Sequence, residues 1–279
     1  MSGVHGRRIA IRLAPAASLA LAALAAAFAT GPARAADWLG ESPLRGTLFD
    51  TGPVNWNGFY VGGAIGVANS DTDYSGSTHD FVSDALRETA LESQNAPQDW
   101  AVLGSDIAHG RSYGGFVGYN MTWEQVVLSA ELGYNKVNGL DSSATDSITR
   151  IVTNTNGSDT VTIAATNSMK LNDYGTVRGR VGYAFGQFLP YAFVGAVIGR
   201  FNYGSNIVVS VSGADNGTFV QNVSQTNAIV AGVTTGLGID VALMPNVFLR
   251  GEWEFNAFAE YKGIRVNTNT ARAGIALKF

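Results

Sequence analysis

From Trp56 to the C-terminus the chain alternates apolar with polar or small residues at a period of two, in segments of about ten residues. This pattern constrains the fold more than any other feature. Side chains on an extended strand point to opposite faces in turn, so sustained alternation means a sheet with one apolar face. Eight such segments are legible, at residues 56–68, 111–121, 125–136, 170–185, 190–203, 226–243, 246–260 and 268–279. In the third, Leu128, Ala130, Leu132 and Tyr134 oppose Ser129, Glu131, Gly133 and Asn135; in the last, Ala273, Ile275, Leu277 and Phe279 oppose Arg272, Gly274, Ala276 and Lys278. Past residue 56 no apolar run approaches the roughly 20 residues that a spanning helix needs.

Composition narrows the class. Charged residues make up only 14% of the chain, against roughly a quarter in an average soluble protein. With 14 Phe, 5 Trp and 10 Tyr the chain is too aromatic to be disordered, and its 34 Gly against 7 Pro suit strands. A β-barrel in lipid and a secreted β-sandwich both fit these numbers.

The connections separate the two. Segments 2–3, 4–5 and 6–7 are joined by a few residues, whereas 69–112, 137–169 and 204–225 are long. Short turns on one side and long loops on the other are the asymmetry of an outer-membrane barrel. The expectation is an all-β, eight-stranded antiparallel transmembrane up-and-down barrel, with short periplasmic turns, long extracellular loops and both termini on the turn side. Loop 1 (69–112) holds eight acids and a short helix is expected near Asp80 to Glu92; Asn156-Gly157 and Asn216-Gly217 look like hairpin turns, so strands 3–6 should project beyond the membrane. Two aromatic belts are expected at the strand ends: Trp56, Trp123, Phe188, Tyr191 and Phe248 near the short turns, and Tyr113, Tyr174, Tyr203, Phe258 and Tyr261 near the loops.

The first 35 residues read as a secretory signal peptide. Arg7, Arg8 and Arg12 precede an Ala/Leu-rich run that closes on Ala33-Arg34-Ala35, which places cleavage between Ala35 and Ala36. Residues 36–55 form a periplasmic lead-in, and 56–279 the barrel. Losing the leader removes four Arg and no acid, which moves the formal charge from −4 to −8. No basic face remains to bind nucleic acid. The chain has no Cys, so it has neither a disulfide nor a lipidated cysteine.

Charge placement gives the candidate site. A charge facing lipid at the midplane costs roughly 2–4 kcal/mol. Glu131, Arg178, Arg180, Asp240, Arg250, Glu252, Glu254 and Arg272 all lie on the face opposite the large apolar residues. If that face is the lumen, four acids and four arginines meet in an interior just wide enough for side chains. A structural salt-bridge core is favoured over a thin ion path, because a conducting pore more often leaves one sign unpaired.

Catalysis is not expected. A Ser–His–acid site needs a histidine to take the nucleophile's proton. His5 leaves with the leader, and His79 and His109 both fall in loop 1, away from a strand at the bilayer rim. His79 with Asp71, Asp73 and Asp80 matches no known ligand spacing, so a solvated acidic loop is the better reading. No metal and no cofactor is expected.

Three blocks carry a family resemblance. Trp56-Asn57-Gly58-Phe59-Tyr60-Val61-Gly62-Gly63 resembles the first-strand motif of the small outer-membrane barrels of alphaproteobacteria, the RopB-like, OmpA-type transmembrane barrel family. Thr176-Val177-Arg178-Gly179-Arg180-Val181-Gly182-Tyr183-Ala184-Phe185, with Phe188-Leu189-Pro190-Tyr191, resembles its strands 4 and 5, and the stretch from Ala271 to Phe279 its last strand. The resemblance implies insertion by the outer-membrane assembly machinery, with the terminal aromatic Phe279 as the signal, and a surface-exposed protein among outer-membrane lipid and lipopolysaccharide. Some relatives bind haem or host surfaces. Two alternatives to a structural, envelope-integrity role therefore stand: a narrow porin for small solutes, and a surface binding module acting through loops 1–3.

Overall fold

The structure, a computed structural model, describes residues 54–279 apart from Asp215. The signal peptide, its cleavage at Ala35 and Ala36, and residues 36–53 of the lead-in lie outside the described residues. Nine strands occur among those described: β1 (Gly58–Asp73), β2 (Ser105–Trp123), β3 (Val126–Asn138), β4 (Asp141–Asn154), β5 (Gly157–Tyr183), β6 (Phe188–Gly213), β7 (Gly217–Met244), β8 (Val247–Phe258) and β9 (Arg265–Lys278).

All neighbouring strands are antiparallel. The ring runs β1-β2-β3-β5-β6-β7-β8-β9 and closes where β9 pairs with β1, Leu277 opposite Val61. Eight strands thus form the barrel, as expected. The ninth, β4, lies outside the ring and pairs only with the upper half of β5, Thr145 opposite Thr166. It occupies what reads in the sequence as loop 2. A strand that carries Asp141, Asp146 and Arg150 has no continuous apolar row, so its alternation is weak by the lipid criterion.

The strands alternate strictly. Val61, Ile65, Leu128, Leu132, Val177, Val181, Val194, Ile198, Val233, Ile275 and Leu277 are exposed, while Glu131, Arg178, Arg180, Asp240 and Arg272 of the same strands are buried. A continuous exposed band of this size belongs in lipid rather than in water. Three strands run far past it. At about 3.3 Å per residue, the part of β5 before Asn172 extends roughly 50 Å along the strand.

The change from barrel to projecting sheet falls on one line. The register slips between Leu171 and Asp173 on β5 and between Phe201 and Tyr203 on β6, and Asn227 on β7 adopts φ +58° opposite the second slip. Each is a β-bulge, which bends a strand and strengthens its twist. On the membrane side of this line the outward residues are Val177, Val194, Ile198 and Ile229. Beyond it they are Thr162, Thr166, Ser210 and Thr218, with cross-strand hydroxyl bonds such as Thr149 to Thr162 at 2.9 Å.

Loop 1 contains two short helices where one is expected: α1 (His79–Ala85) and α2 (Ala90–Asn95). They separate at Glu88, which sits at φ +64°. Thr89 then caps α2 by accepting from the backbone N–H of Glu92 at 3.2 Å, as a Thr-x-x-Glu sequence favours. The loop is shorter than the sequence suggests, because β1 and β2 continue to Asp73 and from Ser105. Its residues Tyr74, Val82, Leu86, Leu91 and Trp100 pack with Ile163, Phe201, Ile207 and Val209 of the projecting sheet. The β8–β9 turn joins this assembly. A Cβ at Gly263 would lie 2.1 Å from the carbonyl oxygen of Gly76, and Gly263 has φ +71°. Gly76 and Gly263 permit the close approach, and other residues would not.

The aromatic belts need correction. Trp56, Tyr191 and Phe248, expected at the turn-side belt, are buried inside the barrel, and so are Tyr174, Tyr203 and Phe258 from the loop-side belt. Trp123 and Phe188 are outward at the turn end as expected, joined there by Phe59, Tyr119, Tyr183, Phe185 and Phe279, and at the hairpin end Tyr134 joins the expected Tyr113. Parity explains the error. Phe248 lies two residues from inward Arg250, Tyr174 four from Arg178 and Phe258 four from Glu254, so each shares the inward face.

Candidate functional site in the barrel lumen

The structure brings all eight charged residues selected from the sequence into one buried layer. Glu131 comes from β3, Arg178 and Arg180 from β5, Asp240 from β7, Arg250, Glu252 and Glu254 from β8, and Arg272 from β9; each is under a tenth exposed. The two-residue spacing of Arg178 with Arg180, and of Arg250, Glu252 and Glu254, stacks them on one face of a strand.

Glu131 is the hub. Its Oε1 accepts from Arg178 Nε at 3.0 Å, and its Oε2 from Arg180 Nη1 at 2.9 Å, Arg250 Nη1 at 2.7 Å and the Tyr60 hydroxyl at 2.7 Å. Asp240 takes Arg180 Nη2 and Arg250 Nε, both at 2.8 Å. A second half centres on Glu252 and Glu254. Arg178 Nη1 donates to both at 2.8 Å, Arg272 Nε donates to Glu252 at 2.8 Å, and Arg272 Nη2 donates to Glu254 at 2.6 Å. Arg178 links the halves, so no carboxylate is served by one arginine alone.

Sequence reasoning missed the neutral members. Tyr60, Tyr174 and Tyr191 donate their hydroxyls to Glu131, Glu254 and Glu252 at 2.7 to 2.8 Å, and Asn135 accepts from Arg272 Nη1 at 3.1 Å. The arginine planes lie on aromatic faces: Arg180 stands 3.7 Å over Tyr191 and Arg250 4.1 Å over Phe116. The signal that locates them is parity with the charged positions, because an inward tyrosine beside an inward carboxylate finds a partner for its hydroxyl.

Charged layers of this kind cost desolvation that only near-complete pairing recovers. Here four acids meet four arginines, and apolar residues flank the layer on both sides, beside buried Asn120 and Lys278 toward the turns and Ser112, Asn256 and Thr270 toward the hairpins. Toward the short turns lie Trp56, Phe116, Val127, Leu189 and Phe248, with the Trp56 indole N–H donating to the Gly186 carbonyl at 3.3 Å. Toward the hairpins lie Leu171, Val197, Phe201 and Phe258.

The histidines behave differently. His79 lies in loop 1 near Asp80 and Asp99, at 3.3 and 3.5 Å, with its side chain half exposed. His109, expected in loop 1, is instead on β2, exposed, with Nδ1 2.7 Å from the Asn69 side-chain oxygen. The strand begins earlier than its weak alternation suggests. The described residues contain no group of three His, Asp or Glu placed to hold a metal ion.

The chain is similar to known proteins over most of its length. The family model described as outer membrane protein beta-barrel domain matches residues 16–279. Among solved structures, Neisserial surface protein A is 17% identical, with 79% of this chain and 97% of that one covered at a TM-score of 0.33. Ail, the attachment invasion locus protein of Yersinia pestis, is 13% identical over 79% and 99% at 0.32. The N-terminal β-barrel domain of Pseudomonas aeruginosa OprF is 11% identical over 77% and 97% at 0.31. No curated protein matches the chain.

Proposed function

The chain belongs to the outer membrane protein β-barrel family, and from that premise we propose that it is a closed, non-catalytic barrel with a structural, envelope-integrity role. The observation that carries this reading is the neutral layer of four acids and four arginines, flanked by apolar side chains on both sides. An ion path needs water along its length and a field of one sign. A layer whose charges are spent on one another offers neither.

Residues 1–35 are removed on export, the short turns face the periplasm, and the projecting hairpins face outward into the lipopolysaccharide layer. The assembly machinery reads Phe279, which is exposed at the seam with its backbone N–H on the Phe59 carbonyl at 2.8 Å. The narrower kinship is with the RopB-like barrels of alphaproteobacteria. His109 takes no part in catalysis: its partner is an amide oxygen, which supplies neither a nucleophile nor a carboxylate to orient the ring.

Planar-bilayer recording of the purified protein tests the closed lumen. The expected record is free of steady channel steps. Reproducible, ion-selective conductance would establish the narrow-porin reading instead. A surface-binding role is the second reading, favoured by the sheet that β4 to β7 carry beyond the barrel. It predicts that shortening the β4–β5 and β6–β7 hairpins leaves the barrel folded and removes ligand retention by whole cells.

A further inference from the structure

The outer wall of the barrel is not uniform at its hairpin rim. On β2 and β3 the lipid-facing rows end at Tyr113 and Tyr134, both exposed. Two residues further along the same faces stand Arg111 and Lys136, and on the adjacent β5 and β6 stand Lys170 and Arg200; all four are exposed. Two strand residues advance the chain by about 7 Å. The cations therefore lie one step beyond the interfacial tyrosines, at the depth where lipid headgroups carry their phosphates.

Register draws them into one patch. Lys136 pairs with Tyr113 on one side and Asp173 on the other, and Asp173 pairs with Arg200. Two carboxylates belong to the patch, and each already has a partner: Asp173 is held by Arg200 Nε at 2.7 Å and Asp141 by Lys170 at 2.8 Å. Lys136 acts on Asp173 from the neighbouring strand, and Arg200 rather than Lys136 holds that carboxylate at hydrogen-bond distance. Four cations against two acids leave the patch positive on a chain whose formal charge is −4. On β9, which stands opposite β5 in the ring, and on β1 beside it, the outward residues past Ala271 and Val67 are Asn269, Asn267, Asn69 and Asp71. Arg265, further out on that wall, is engaged by Glu260 at 2.7 Å.

We infer that Arg111, Lys136 and the Arg200 rim on β2, β3 and β6 bind the phosphate groups of lipopolysaccharide, which orients one side of the barrel toward that lipid. Three things select this occupant. The patch is continuous with the lipid-facing surface, its charge is complementary to a phosphate, and its depth is that of a headgroup. In the outer leaflet of this membrane, the anionic amphiphile with phosphates directly above its acyl chains is lipopolysaccharide. The Arg111 guanidinium matches phosphate oxygens in a fork geometry and the Lys136 ammonium adds a point charge, while Arg200, whose Nε and Nη2 are on Asp173, contributes only its remaining donors.

The inference rests on the hairpins facing the outer leaflet, and the experiment is chosen so that the two can fail separately. The full mature protein is placed in neutral-lipid nanodiscs, which offer both rims to added lipid, and titrated with bisphosphorylated lipid A or with the same lipid stripped of phosphate. The expected result is preference for the phosphorylated form, with a loss of roughly tenfold or more in Arg111→Gln/Lys136→Gln/Arg200→Gln. The β9 variant Asn267→Gln/Asn269→Gln, on the wall opposite β5, should bind like the parent, and heat-modifiable gel migration verifies that each variant is folded. Equal binding of both lipids, or an unchanged triple variant, overturns the proposal. Competition by millimolar inorganic phosphate overturns it too, because it marks a site for free anions rather than for a lipid. Sidedness is read independently, by labelling Thr155→Cys on intact cells with an impermeant thiol reagent.

Discussion

The side-chain amide of Asn172 donates to the side-chain oxygen of Asn202 at 3.0 Å, and the same oxygen accepts the backbone N–H of Asn227 at 3.1 Å. One asparagine oxygen thus joins three adjacent strands across two bulges, at the level where the barrel gives way to the projecting sheet. Asparagine suits the line twice over. Its short amide reaches neighbouring backbone, and it tolerates the left-handed conformation that Asn227 adopts.

Asn202→Ala removes the shared acceptor and should cost about 1–3 kcal/mol locally, the usual penalty for orphaned polar groups. Hydrogen exchange is the appropriate measurement. Amides of β5 to β7 beyond the bulges should lose protection while those in the barrel keep theirs. Uniform loss across the barrel would show that the line is not a boundary.

Removing a hub charge should cost more. Glu131→Gln leaves Arg178, Arg180 and Arg250 one carboxylate short in a closed interior, with an expected loss of about 3–5 kcal/mol. Asp240→Leu with Arg250→Leu removes a matched pair, and the double variant should be more stable than either single one. Urea unfolding in detergent micelles, run as a double-mutant cycle, reads both values. Additive losses would mean that the pair is not coupled.

The lipid band predicts a depth dependence. Val181→Arg, among the outward apolar residues, should destabilise by roughly 2–4 kcal/mol in bilayers, whereas Thr162→Arg on the projecting sheet should be near neutral. The same urea titration in liposomes distinguishes them. Equal effects would displace the membrane boundary from the asparagine line.

Phe279→Ser separates folding from delivery. The ring closes through the β1–β9 ladder, from Tyr60 opposite Lys278 to Asp73 opposite Arg265, which the substitution leaves in place. Refolding from urea into detergent should therefore proceed at the parental yield, while the amount assembled in cells should fall several-fold. Loss of refolding in vitro would make Phe279 a structural residue rather than a signal.

Alternation over eight segments was enough to determine the class of fold, the number of strands in the ring and the lipid-facing rows, because a strand in lipid satisfies its backbone only in a closed sheet and tolerates charge only inside. It also identified the eight charged lumen residues, since period two assigns each to a face without knowledge of its partners. The limits of the same rule are physical. Outside the membrane neither face must be apolar, so β4, the upper halves of β5 to β7 and the start of β2 with His109 leave only a weak pattern. The tertiary structure alone decided that Tyr60 and Arg250, 190 positions apart, both reach Glu131, that Asn172, Asn202 and Asn227 fall on one line, and that most belt aromatics turn inward. Those relationships depend on register between strands, which closure of the ring sets and no single strand contains.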